Sequence, residues 1–290
     1  MSFNRYRLFC KRTLAWRLFK RHHTHFNEIF WSHKTAKAHA YASTRPHDRA
    51  DATDVLFRFA AGNRRVPDTL GKWADAYYAF DQWTQMASII AIVGYLETYI
   101  AQVSTAAVES CPSFIFGGGP KVDGAIYLKK NPKYGLYDRV EPLVRGDWQA
   151  RISAYRRLFG DCPIDAYVAP LEQLRKLRND TGHCFGRDIG SMNFAPTWLV
   201  QRLPTISDAD IQAHLKIIED VAKAIEVHLA PIVGQYEVIK VLHCWLPGIG
   251  KPRPSVKTLA KAFSVHISTL TGNAYGKGPA IDLIKYYDGL

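Results

Sequence analysis

From Thr69 to Glu109 the chain repeats apolar residues at steps of three and four, and this segment constrains the fold more than any other. Leu70, Trp73, Ala74, Tyr77 and Tyr78 open the pattern. Trp83, Ile89, Ile90, Val93, Leu96, Tyr99, Ile100 and Val103 continue it. That spacing puts apolar side chains on one stripe of a helix, whereas a strand needs strict alternation. The segment is predicted as two consecutive helices, with Asp81 or Ser88 capping the second. Its most apolar run, Met86 to Leu96, is 11 residues long and meets Glu97, which is short of the ~20 residues of a membrane span. No membrane helix is therefore expected.

The same periodicity returns downstream. Trp148 to Phe159 reads as an amphipathic helix ended by Gly160, Asp161 and Pro163, and another helix runs from about Ile164 through Leu171, Leu174 and Leu177 toward His183, with Gly186 near its end. Pro196 to Pro204 reads as a connector. Ser207, Asp208 and Asp210 supply capping residues for a long helix to about Ala230, where Pro231 should end or kink it. The glycine- and proline-broken stretch from Cys111 to Tyr137 reads as a long loop. Strand-like alternation is scarce, so the expectation is an all-α, antiparallel helical bundle spanning residues 51–240.

Both ends are basic. The chain carries 38 Lys plus Arg against 26 Asp plus Glu, and nine of those cations lie between Arg5 and Lys37 beside one acid, Glu28. Residues 1–50 are read as a basic amino-terminal arm. It lacks the apolar core of a secretory signal, its Arg-rich, acid-poor start also fits a transit peptide, and a block of this kind is suited to phosphates through counterion release. Residues 246–290 form a basic helical extension behind Pro247, Pro252 and Pro254. Within it Ser255 to Leu270 reads as helix, turn, helix, with the turn near Ser264 and Val265, in the manner of a DNA-reading unit. A hydrophobic share of 47% excludes wholesale disorder, and five scattered cysteines without close pairs suit a reducing, cytoplasmic setting.

The most specific chemical feature is Leu177-Arg178-Asn179-Asp180-Thr181-Gly182-His183. At ~100° per residue Arg178 and His183 point about 140° apart on an unbroken helix, while Asn179 and His183 share a face. Gly182 weakens the helix there and suggests distortion or a close backbone neighbour. A guanidinium, an amide and a group titrating near neutrality together suit a phosphate ester.

Arg, Asn, three residues and His resembles the signature of the HEPN superfamily, small all-helical ribonucleases and nucleotide-binding proteins of toxin and antiviral systems. Upstream, Ile92 to Ile100 around Glu97 resembles the family's earlier helix, so the likeness covers about residues 69 to 230. It implies metal-independent RNA cleavage without a cofactor, leaving a 2′,3′-cyclic phosphate and a 5′-hydroxyl. His183 is then the general acid or base, Arg178 steadies the phosphorane, and Asn179 orients the imidazole or the phosphate. Glu97, pairing with Arg178, and Asp180 are the supporting residues. The resemblance also implies a homodimer whose motifs line one groove, which relieves the angular separation of Arg178 and His183, and an antitoxin or regulatory partner. Some members only bind nucleotides or partners.

Other features are read more plainly. Arg156, Arg157, Arg175 and Lys176, with Arg151, form a candidate RNA-binding track toward the motif. Gly117 to Lys121 lacks the ending of a phosphate-binding P-loop and reads as a loop, and His22, His23 and His25 lack the acid or cysteine that completes a metal site. The aromatic residues of the Thr69–Glu109 segment are expected in the core. The competing reading of the whole chain is a non-catalytic helical nucleic-acid-binding regulator.

Overall fold

The computed structural model describes residues 3–8, 11–58, 65–117, 122–131, 133–184 and 205–290, the side chains of 183 and 184 excepted. Among them every regular element is helical, and the one β-type pairing is an isolated bridge between Ala52 and Thr69. The all-α expectation is met. The long elements are α1 (Leu14–Thr44) and α2 (Leu70–Ser110). The short helices α3 (Ser113–Phe116), α4 (Gly124–Lys130) and α5 (Tyr137–Val140) follow, then α6 (Trp148–Phe159) and α7 (Val168–Cys184). The last four are α8 (Asp208–Val233), α9 (Tyr236–Trp245), α10 (Val256–Thr271) and α11 (Lys277–Gly289). These divide into two compact units drawn from separate stretches of chain: Met1–Arg21, Tyr95–Glu172 and Glu219–Leu290 in the first, His22–Gly94 and Gln173–Ile218 in the second.

Several local expectations change. The Thr69–Glu109 segment is one helix, not two. Asp81, a candidate cap, lies buried inside it, and Ser88 returns its hydroxyl to the Thr84 carbonyl at 2.7 Å. A 41-residue helix with a window of mean hydropathy 1.4 is long and apolar enough to cross a membrane by length and composition, which Met86–Leu96 alone is not. Burial of Met86, Ile89, Ile92, Leu96, Tyr99 and Val103 makes that stripe compatible with the core helix of a soluble protein. Of the aromatic residues, Tyr99 is buried, but Tyr78 and Trp83 are about half exposed. Trp73, Tyr77, Phe80 and Trp83 stack along the helix at successive centroid distances of 5.0, 6.5 and 6.1 Å.

The stretch expected as a long loop contains α3, α4 and α5. It is held against α2 by a backbone approach that only glycine permits, because a Cβ at Gly124 would stand 1.6 Å from the Glu109 carbonyl oxygen. α6 ends at Phe159 before Gly160, at φ +86°, as expected. α8 begins on a reciprocal cap, Ser207 N to Asp210 Oδ2 at 2.9 Å and Asp210 N to Ser207 Oγ at 3.1 Å, and it passes Pro231 to end at Val233. The turn expected near Ser264 and Val265 is absent. α10 is continuous through both, and the turn comes at Gly272, in the left-handed conformation. Apolar Leu259, Ala260, Phe263 and Ile267 recur at helical spacing straight through the position, which is why no break occurs.

The basic start folds back into the protein. Arg5 is buried in the first unit, where its Nε meets Asp123 Oδ1 at 2.7 Å and its Nη2 donates to the Ser110 carbonyl at 2.6 Å. The start of α1 is capped by carboxylates from the far end of the chain. Glu226 accepts from Thr13 N and Oγ1 at 2.8 and 2.7 Å, and Glu237 accepts from Leu14 N and Ala15 N at 2.5 and 3.0 Å. Orphan amides and the positive end of the helix dipole attract such groups. Within the second unit, Asp81 receives Lys34 at 2.8 Å, Lys37 at 2.5 Å and His33 at 3.1 Å. Burial pushes the Asp81 carboxyl up, but the bonds and charges of Lys34 and Lys37 outweigh it and hold it below the usual carboxylate range.

Candidate active site on α7

α7 follows a 3₁₀ turn, Asp165–Tyr167, and it carries the motif on its last two turns. Leu174 and Thr181 are buried seven positions apart, and Arg178 lies between them, four after one and three before the other. Arg178 is therefore half-buried on the inward seam of the helix, not on its solvated face. Its Nη1 donates to Asn179 Oδ1 at 3.0 Å, so the guanidinium and the neighbouring amide form a unit. Thr181 donates to the Leu177 carbonyl at 2.7 Å. Asp180 is exposed.

The helix runs to Cys184, so positions 178 and 183 lie about 140° apart around its axis and 179 and 183 share a face. The His183 side chain lies outside the described residues, as do Gly186 and the Pro196–Pro204 connector. Among the described residues a Cβ at Gly182 would meet nothing within 4 Å.

The other predicted residues separate by unit. Arg175 and Lys176 belong to the second unit with Arg178, and Lys176 is exposed. Arg156 and Arg157 belong to the first, where Arg156 pairs with Asp165 and Arg157 is exposed. Arg151 is not a surface cation. It is buried, donates to the Gly146 carbonyl at 3.1 Å, lies 4.8 Å from the Trp148 ring centroid and meets Glu97 at 2.9 Å. Glu97 is thus held by Arg151 in the first unit, the partner that sequence spacing did not suggest. Among the described residues no three His, Cys, Asp or Glu side chains gather as a metal ion requires.

A cleft of about 1410 Å³, lined by residues of the first unit alone, was not legible in the sequence. The Arg12–Arg21 charge cluster was its signal, but its walls join the start of α1 to α2 and α9, stretches remote from one another in sequence. Compared with known protein families, curated proteins and solved structures, the chain matches none.

Proposed function

We propose that the chain is a HEPN-like, metal-independent endoribonuclease acting as a homodimer in the cytoplasm, in a toxin or antiphage role held in check by an antitoxin or regulatory partner. The observation that carries this reading is Arg178, a guanidinium on the half-buried seam of α7, hydrogen-bonded to Asn179 and five residues before His183 on one helix. That placement keeps the guanidinium beside the inward side of the helix, with Asn179 to orient it.

In the reaction, the ribose 2′-oxygen attacks the adjacent phosphorus while a base takes its proton, and the 5′-oxygen leaves with a proton from an acid. His183 serves one of those proton transfers, worth ~10² to 10⁴-fold. Arg178 stabilises the charge that grows on the non-bridging oxygens, and Asn179 keeps the guanidinium in place. Pairing of two chains brings Arg178 of one copy and His183 of the other to one groove, with Arg175 and Lys176 beside the RNA backbone. The test is incubation of purified protein with total RNA in excess EDTA. Cleavage that persists, and disappears in Arg178→Ala and in His183→Ala, supports the enzyme. Tight duplex DNA binding with intact RNA supports the regulator instead.

A further inference from the structure

The cleft of the first unit is formed where the start of α1 meets α2, α9 and the end of α10, and its lining holds more charge than it neutralises. Arg12, Arg17, Lys20, Arg21, Arg145 and Lys240 line it, against three carboxylates. Those carboxylates are already engaged: Glu97 by Arg151 at 2.9 Å, Glu109 by Lys240 at 2.6 Å, and Glu237 by the amides of Leu14 and Ala15. Lys20 and Arg145 are matched by Glu219 at 2.6 Å and Glu141 at 2.7 Å. Arg12 lies over the Trp16 ring at 5.1 Å, and neither it nor Arg21 has a carboxylate at ion-pair distance among the described residues.

The lining also holds apolar and aromatic Ala101, Val144, Val241, Leu270 and Trp245, the last stacked on His266 at 5.8 Å, beside polar Thr98, Gln102 and Thr105. The volume exceeds the ~300–1,000 Å³ of ordinary ligand pockets, so the cleft admits a bulky guest. Several guanidiniums in one lining match a multivalent phosphate, whose oxygens accept paired N–H donors, better than a single carboxylate. Trp and aliphatic walls match a ring or hydrocarbon body.

We propose that this cleft is a binding site for a phosphoanhydride ester, a chain of two or three phosphates joined to an aromatic or apolar body, with Arg12 and Arg21 holding the phosphates and Trp16, Trp245 and Val241 enclosing the body. The site is independent of α7, and its failure would leave the ribonuclease reading untouched.

The experiment titrates the full-length protein with ATP, geranyl diphosphate and tripolyphosphate, read by calorimetry and by tryptophan fluorescence. The expected result is binding of ATP or geranyl diphosphate below ~1 mM, the tighter one identifying the body, with tripolyphosphate roughly tenfold weaker or more because it lacks wall contacts. The double variant Arg12→Glu, Arg21→Glu should weaken the ester by roughly tenfold or more. Lys257→Glu with Lys261→Glu, on exposed positions of α10 outside the cleft, should leave affinity unchanged, as should Arg178→Ala, which loses only RNA cleavage. Ala101→Trp narrows the cleft at one wall and should weaken binding. If that variant does not fold, the charge-reversal pair decides alone, because neither arginine is in the core. Lack of binding by both esters, equal affinity for tripolyphosphate, or full affinity in the Arg12/Arg21 variant would each overturn the proposal.

Discussion

Replacing Asp81 by Asn asks whether the basic start of this chain is structural. In the second unit Asp81 is about 1% exposed and is contacted by Lys34, Lys37 and His33 at 2.8, 2.5 and 3.1 Å. Removing one member of a buried ion pair costs roughly 3–5 kcal/mol, because the partner charge stays buried and uncompensated. Lys34 keeps Asp208 as a second partner at 2.7 Å and the Lys37 side chain is 24% exposed, so the lower end applies, about 3 kcal/mol. For a protein of this size that corresponds to a fall in Tm of about 6–12 °C if unfolding is a single transition. Urea and thermal unfolding measure both. Adding Lys34→Met and Lys37→Met to Asp81→Asn should recover much of the loss, since the unpaired cations go with the anion. The pH dependence has a definite sign. The folded Asp81 is held below the usual carboxylate range, so its contribution is complete above the unfolded value and is lost as pH falls through the folded one. The gap between wild type and variant should thus narrow in acid, below pH ~4. A variant within about 0.5 kcal/mol of wild type at pH 7, or a gap that widens in acid, would refute the reasoning.

Three further outcomes follow from the same contacts. Burial pushes Glu237 up to about 7 against the pull of the Leu14 and Ala15 amides, so wild type should lose stability relative to Glu237→Gln as pH rises from 4.5 to 7, by at most about 3 kcal/mol in denaturant titrations. Gly124→Ala drives a methyl into the Glu109 carbonyl and should cost about 3 kcal/mol in urea unfolding, with a fully stable variant contradicting the close approach. Mixing Arg178→Ala with His183→Ala chains should restore part of the RNA cleavage that each lacks alone, and no recovery would count against a groove shared between copies.

The helical pattern was legible where local chemistry decides the outcome. The Gly160 stop of α6 and the Ser207–Asp210 cap of α8 involve neighbours within four residues, and both stand as read. The single helix through Asp81 was not legible, because what makes a carboxylate tolerable there is a pair of lysines 44 and 47 residues upstream. The same holds for the amino-terminal arm. Its cations read as a free basic segment until Asp123, Glu219 and Asp81 are placed beside them, and α1 gains its cap from Glu226 and Glu237, toward the opposite end of the chain. At the candidate site, the motif was visible as Arg178, Asn179 and His183. Its half-buried seam was implicit in the Leu174–Arg178–Thr181 spacing, whereas Arg151 as the partner of Glu97 depends on tertiary packing alone.

End-group analysis of RNA treated with the purified protein decides whether Arg178 and His183 cleave RNA through the ribose 2′-oxygen. The expected products carry 2′,3′-cyclic phosphate and 5′-hydroxyl termini, formed equally well in chelator and absent with Arg178→Ala or His183→Ala. Termini bearing a 5′-phosphate, or unchanged cleavage in both variants, would contradict that mechanism.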